Sequence, residues 1–404
     1  MSISSSRRRL AGLIAVAALA VSGLTACSTE TAETTSEQST SSTRATAFTL
    51  TDITGRNISL PAAPERILLG EGRSVFATGI LDKSNPLDKV VGIGTDLKDN
   101  VPDYMAQLEQ TNPEVKDLPE VGGFMKGDVT VENLLSLKPD IILLSLDEYQ
   151  ASEKTGLIDS MEKAGLTYAV TDFRAKPLEN TTRSMEIFGT IFGKEKEAAA
   201  FNKDWQETVD LVKGRSAKLK DEDKPTAFVW RAAGLSDCCQ TWNDSNISQL
   251  VNVAGGKNIG DAVIEGESGA MTPEKVISDN PDEIFATGGE WSAKRNKEGN
   301  PVGYAALGYR ISDEDAQVSV NNLPKGQKGF DTLSAVKDGQ LHGLWHQFYN
   351  SPFNYLALLQ IAAWLHPEDY SDIDVPAEWM KAQEKYSPVS GEGVFFSTST
   401  PAGE

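Results

Sequence analysis

Thr130-Val131-Glu132-Asn133-Leu134-Leu135-Ser136-Leu137-Lys138-Pro139-Asp140-Ile141-Ile142 has a second copy 142 residues further on, Thr272-Pro273-Glu274-Lys275-Val276-Ile277-Ser278-Asp279-Asn280-Pro281-Asp282-Glu283-Ile284. Thr, Glu, Pro, Asp and Ile recur at the same offsets, and a Gly-Gly pair, Gly122-Gly123 or Gly255-Gly256, precedes each copy. The unit reads as helix, turn and buried strand. Thr caps the helix N-terminus, and the Glu in the first turn lies where the helix dipole favours negative charge. Pro then stops the helix, and Asp turns the chain into an apolar strand. Two such units predict a duplicated lobe.

Working outward, Phe48-Thr49-Leu50-Thr51-Asp52 and Asn57-Ile58-Ser59-Leu60 flank the turn Thr54-Gly55-Arg56 and predict a hairpin. Short apolar strands follow at Ile67 to Leu69, Val90 to Ile93, Ile141 to Leu144 and Tyr168 to Val170, with a helix expected from Val75. Strand then helix, repeated, is the rhythm of an α/β domain with a mainly parallel sheet. From Leu178 to Leu219 the strand signal stops. Phe188, Phe192, Phe201, Trp205 and Val209 recur at roughly helical spacing, so a shorter helix and one long helix are expected there. A second α/β lobe begins at Thr226-Ala227-Phe228-Val229-Trp230 and continues through Glu283 to Ala286, Leu341 to Leu344 and a closing helix at Asn354 to Leu365. The expected organisation is an N-terminal lobe over 47–173, a linker-helix region over 174–224, a C-terminal lobe over 225–366 and an extension over 367–404. The tail around Val394-Phe395-Phe396 is expected to fold back on the body.

The first 46 residues read differently. Arg7, Arg8 and Arg9 precede an apolar run from Leu10 to Leu24, too short to span a bilayer comfortably, which ends in Leu24-Thr25-Ala26-Cys27. This looks like a bacterial lipobox, so residues 1–27 are expected to be a signal peptide, with Cys27 acylated after cleavage. Twelve of the 19 residues from Ser28 to Thr46 are Ser or Thr, a composition that cannot bury enough surface to offset its ordering entropy. Residues 28–46 therefore read as a tether. A net charge of −20 argues against nucleic-acid binding. Apart from Cys27 the only cysteines are adjacent, Cys238-Cys239, either a vicinal disulfide or two free thiols in a loop. Neighbouring residues cannot chelate one metal ion with good geometry.

Taken together, Thr51-Asp52 through Gly55-Arg56, Pro64-Glu65-Arg66-Ile67, Thr130 to Asp140, Asn252-Val253-Ala254-Gly255-Gly256-Lys257-Asn258-Ile259 and Leu333 to Gln340 resemble the substrate-binding proteins of iron-siderophore, haem and cobalamin ABC importers. The resemblance implies two Rossmann-like α/β lobes joined by a long backbone helix, with the ligand held in the cleft between them. It implies a monomer, extracytoplasmic and lipid-anchored, with no intrinsic cofactor. Its partners are then a permease with its ATPase and a small iron chelate. It also implies that one glutamate on each lobe meets the permease, which falls on Glu132 and Glu274.

Ligand sites of such folds are built by loops at strand ends. An iron(III)-siderophore is anionic or rich in oxygen acceptors, and arginine suits it by donating forked hydrogen bonds and stacking on flat groups. Candidate ligand residues by position are Arg73, after the first lobe's opening strand, and Trp230 and Arg231, at the matching end of the second lobe's first strand. Trp291 and Arg295 follow the strand at Ile284. Tyr309 and Arg310 lie in a long polar connection from Lys294 to Gly329, and His346 and Tyr349 follow the strand at Leu341. Iron is expected to be held by the chelate, with direct contact from His346 or Tyr349 left open. The same scaffold carrying haem, cobalamin or an oxyanion such as molybdate is the alternative, and Tyr104 and Tyr149 are the N-lobe residues open to haem. For an extracellular enzyme, the remote alternative, there is no nucleophile elbow, zinc-protease motif or phosphate-binding loop.

Overall fold

In the computed structural model, residues 47–235, 238–291 and 303–402 are described; Cys27, the 28–46 tether and Arg295 lie outside them. The described residues form one compact unit. The N-terminal part opens with a hairpin of β1 (Phe48–Thr51) and β2 (Asn57–Leu60), then builds a four-stranded sheet. Its strands are β3 (Ile67–Leu69), β4 (Val90–Ile93), β5 (Ile141–Ser145) and β6 (Tyr168–Thr171), in the order β4-β3-β5-β6 and all parallel. β3 and most of β5 are buried on both faces, as a parallel sheet covered by helices requires, which is why they read as unbroken apolar runs.

The second part contains β7 (Thr226–Trp230), β8 (Gln240–Trp242), β9 (Lys257–Asn258), β10 (Ser268–Ala270) and β11 (Glu283–Gly288). It continues with β12 (Gly308–Tyr309), β13 (Leu341–Trp345), β14 (Gly393–Val394) and β15 (Phe396–Thr398). Its main sheet runs β15-β13-β11-β7-β9, parallel throughout except for β15. Two antiparallel pairs, β8 with β10 and β12 with β14, stand outside it.

The duplicated unit plays the same local role in both copies. Thr130 and Thr272 each accept the N–H three residues on, from Asn133 and Lys275, both at 3.2 Å. Lys138 and Asn280, at equal offsets, both take left-handed backbone (φ 48° and 41°), turning the chain just before Pro. Asp140 then accepts the N–H groups of Glu65 (2.8 Å) and Arg66 (2.9 Å), and Asp282 accepts from Thr226 N (2.8 Å) and Oγ1 (2.7 Å). Each Asp thus pins the start of the neighbouring parallel strand, β3 or β7. The preceding Gly122 and Gly255 share φ near +95° (95° and 94°), a conformation strained for any other residue.

Helices Pro177–Phe192 and Glu195–Ser216 join the two sheets, separated by Gly193 in left-handed conformation. The longer helix buries Ala198, Phe201, Trp205, Val209 and Val212, one stripe at 3–4-residue spacing. Trp205 Nε1 donates to Asn354 Oδ1 (2.9 Å), and Asn354 Nδ2 donates to Thr181 Oγ1 (2.8 Å). This buried polar chain locks both linking helices to the apolar closing helix Asn354–Leu365. Buried side chains form a continuous core from β3 and its following helix through the linking helices to β13.

The segment after residue 367 supplies β15 as an edge of the second main sheet and the helix Val375–Tyr386. Trp379 of that helix lies 4.1 Å (ring to ring) from Phe395 and 6.0 Å from Trp345. The described part of the polar stretch, 303–329, contains β12 and the helix Asp313–Asn322, whose cap Ser312 accepts from Asp315 N. The polar composition hid a solvent-facing helix.

Candidate ligand-binding site between the lobes

The C-terminal ends of β3, β5, β6, β7, β11 and β13 converge on the junction of the lobes, and the segments leaving them carry the polar and aromatic side chains. The turn after β3 presents Arg73, only 6% exposed. Its Nε and backbone N donate to Asp96 Oδ2 (2.8 and 3.1 Å), and Nη2 donates to Glu71 Oε1. Nη1 crosses to the other lobe, donating to Gln347 Oε1 (2.8 Å) and Tyr349 Oη (2.6 Å). Asn350 Nδ2 returns the crossing to Glu71 (2.5 Å), and Gln347 Nε2 donates to Asn100 O (3.2 Å). Arg73, expected to hold ligand, is therefore committed as a strut between lobes. Burial pushes the Glu71 carboxyl up against the pull of Arg73. Glu148, whose carboxylate caps its own helix through Ser145 N (3.0 Å), is pushed well above the usual range by burial and by Glu71.

A second arginine, which the sequence reading passed over, faces the junction. Asp172, buried behind β6, accepts the N–H groups of Arg174 (2.8 Å), Ala175 (2.7 Å) and Lys176 (3.0 Å), and so shapes the turn that presents Arg174. The Arg174 guanidinium pairs with Asp147 (2.7 Å) and sits 4.8 Å from the Tyr349 ring centre. Its position in the turn just after a strand, three residues past β6, was the available signal, the same kind that singled out Arg73 after β3.

Arg231 leaves β7 held by its backbone, N donating to Gln240 O (2.8 Å), and its guanidinium lies 5.1 Å from the Trp242 ring. Among the described residues it has no carboxylate partner and no side-chain hydrogen bond. Burial, and then the neighbouring charge of Arg174, push its pKa below the usual arginine value. Trp242, also passed over, stacks near His346 (6.5 Å) and Tyr349 (6.4 Å). His346 and Tyr349 lie 4.4 Å apart, and half-buried Trp291 meets His346 edge-on at 5.1 Å. Burial, with Arg231, Arg73 and Arg174 close by, holds the His346 pKa well below its ordinary value, so the ring is neutral. Arg174, Arg231, Trp242, Trp291, His346 and Tyr349 thus stand together.

Other candidates are elsewhere. Trp230 is 3% exposed and packs on Phe228 (6.4 Å) and Phe330 (5.1 Å), a core position. Tyr309 is equally buried, wedged among Tyr104, Trp345 and Phe395, with its hydroxyl on Gln383 (3.3 Å). Tyr104 is core as well, 4.8 Å from Phe76, and Tyr149 bonds Glu153 on its own helix. Arg310 is exposed and 4.0 Å from Asp103 of the other lobe. Large aromatics near strand ends serve packing as readily as binding, and residue type alone does not separate the two. Cys238 and Cys239 form the vicinal disulfide, in the loop between Arg231 and β8. Among the described residues, no group of three His, Cys, Asp or Glu is arranged to hold a metal ion. Glu132 and Glu274 are both exposed, each in the first turn of its helix.

Residues 77–300 match the family of periplasmic binding proteins. The chain is 25% identical over 287 residues, 71% of this chain and 84% of the relative, to the uncharacterised ABC transporter substrate-binding lipoprotein YvrC of Bacillus subtilis. Its fold is similar to the TroA-like periplasmic binding protein FepB of Veillonella parvula (TM-score 0.76, 25% identity, covering 87% of this chain and 100% of that one). It is also similar to the molybdate-bound MolA of Haemophilus influenzae (TM-score 0.63, 15% identity, covering 85% and 99%). With its duplicated parallel sheets, its linking helices and a site built at strand ends, the chain belongs to the periplasmic binding protein family, as a two-lobed, TroA-like substrate-binding protein of an ABC transporter.

Proposed function

We propose that this protein captures a ferric siderophore at the lobe junction and delivers it to a permease and its ATPase, as a monomer tethered to the membrane through acyl chains on Cys27. The observation that carries this reading is Arg231. A half-buried guanidinium beside a second arginine, with no carboxylate bonded to it among the described residues, is costly until an anion arrives. The flat wall of Trp242, Trp291, His346 and Tyr349 suits planar chelating groups, which a small oxyanion would leave uncovered. FepB-like and MolA-like relatives share the scaffold, so the choice between chelate and oxyanion rests on this wall.

Tryptophan fluorescence of residues 28–404, titrated with ferric catecholate, ferric hydroxamate, haem, cobalamin and molybdate, tests the reading. Quenching by a ferric chelate is expected, and Arg231→Ala should weaken it by about tenfold to a hundredfold, the worth of a charge-assisted hydrogen bond. Quenching by molybdate or haem alone would overturn the siderophore assignment. Glu132 and Glu274 are proposed to meet basic residues of the permease. In cells, Glu132→Ala with Glu274→Ala should abolish most ferric-chelate uptake while leaving binding to purified protein unchanged. Cys27→Ser should release the protein from the membrane fraction. Normal uptake by the double variant would remove the docking role, and continued membrane retention of Cys27→Ser would remove the anchor.

A further inference from the structure

His346 is held at one nitrogen by a single hydroxyl. Its Nδ1 lies 2.9 Å from Thr287 Oγ1, and the same oxygen accepts the backbone N–H of Ala232 at 2.7 Å. Thr287 is fully buried in β11. A hydroxyl has one proton to give and two lone pairs to offer, and Ala232 occupies one of the pairs. If Nδ1–H donated to the other, the hydroxyl proton, on a side chain fully shielded from water, would be left without an acceptor among the described residues. If Oγ1–H donates to Nδ1, the hydroxyl, the Ala232 N–H and Nδ1 are all paired. Buried polar groups are overwhelmingly paired, so the second arrangement holds.

The ring is neutral and carries one proton. With Nδ1 accepting, that proton is on Nε2. Among the described residues Nε2 has no hydrogen-bond partner, although His346 is 8% exposed. The ring plane is fixed by Tyr349 at 4.4 Å and by the edge contact with Trp291 at 5.1 Å. Arg73, Arg174 and Arg231 supply the charges that face it.

We infer that His346 meets its ligand as a hydrogen-bond donor through Nε2–H, selecting an anionic oxygen of the chelate rather than the metal inside it. The inference rests on the reading of this site as one for an anionic chelate. Metal ligation needs the Nε2 lone pair, which would move the proton to Nδ1 and orphan the Thr287 hydroxyl. Thr287 is thereby a positioning residue: it acts on the ligand only through the tautomer it imposes. A chelate that already saturates its iron is the matching ligand. One with open metal positions gains nothing from the histidine.

The tautomer is read directly by long-range proton–nitrogen NMR of ligand-free, histidine-labelled protein at neutral pH, with His346→Gln assigning the resonance. The Nε2–H pattern is expected in the native protein and in Thr287→Ser, while Thr287→Val should populate the Nδ1–H form. An Nδ1–H pattern in the native protein overturns the inference. Two probes then test recognition, a saturated ferric tris-catecholate and a ferric bis-catecholate with open positions. His346→Gln, whose amide N–H donates from a similar place, should bind the tris-catecholate within about threefold of the native protein, and His346→Ala should lose about tenfold. The visible charge-transfer band of the bis-catecholate should be the same bound to native protein and to His346→Gln. A band shift that vanishes in His346→Gln would mean iron ligation and would sink the donor role. If neither catecholate binds while a ferric hydroxamate does, the chelate is of another class; if no ferric chelate binds, the siderophore reading falls, and in either case the spectrum of the ligand-free protein still decides the tautomer.

Discussion

Arg73→Met is expected to cost roughly 3–5 kcal/mol of folding free energy in the absence of any ligand, the usual price of breaking a buried ion pair. The guanidinium satisfies Glu71, Asp96, Gln347 and Tyr349 at once, and two of these partners belong to the other lobe. Removing it strands two carboxylates in a dry site and unties the crossing. Arg73→Lys should recover little, because a point charge with three donors cannot reproduce a planar fork aimed in three directions. Urea unfolding of the ligand-free protein measures this. A ligand-contacting role with no structural part would give the opposite pattern, with lost affinity and a midpoint left where it was.

The second large effect is pH dependence at the other crossing. Glu290 accepts Tyr309 N (2.7 Å) and, from the opposite lobe, Asp103 N (3.2 Å) at the start of helix Pro102–Thr111. Burial pushes its pKa from 4.5 up to about 8, with Asp103 adding to the push while the two backbone N–H groups and Arg310 oppose it. The folded state therefore holds a proton that the unfolded chain releases. This contribution to stability is complete below pH 4.5 and is lost as pH rises through about 8. A shift of this size corresponds to a few kcal/mol. Glu290→Gln, which mimics the protonated carboxyl, should flatten the loss of stability between pH 5 and pH 9 (roughly the window bounded by the two pKa values). It should leave the variant the more stable protein at the alkaline end. Parallel stability curves for both proteins across that range would show that Glu290 ionises in the fold as readily as in water.

Both expectations concern residues whose roles were hidden in the sequence for the same reason. Arg73 was legible as a strand-exit arginine, but its partners Gln347 and Tyr349 are more than 270 residues away in the chain. Glu290 carried no signal at all, since its acceptor role depends on a backbone N–H of the other lobe. Trp230 and Tyr309 have the composition of ligand walls and the surroundings of a core. Arg174, by contrast, obeyed the same positional rule as Arg73 and was there to be found.

What the sequence determined by itself is the set of local units: the two Thr-to-Asp repeats, the apolar strands, the linking helices and the hairpin. Each follows from caps, prolines and hydrophobic period, interactions that close within a dozen residues. Only the tertiary structure decided which arginine bridges the lobes and which stands with no carboxylate bonded to it among the described residues. It also decided that Nδ1 of His346 lies against the Thr287 hydroxyl. Those outcomes depend on hydrogen bonds across the lobes and between neighbouring strands, where one acceptor more or less reverses the role of a side chain that looks the same in the sequence.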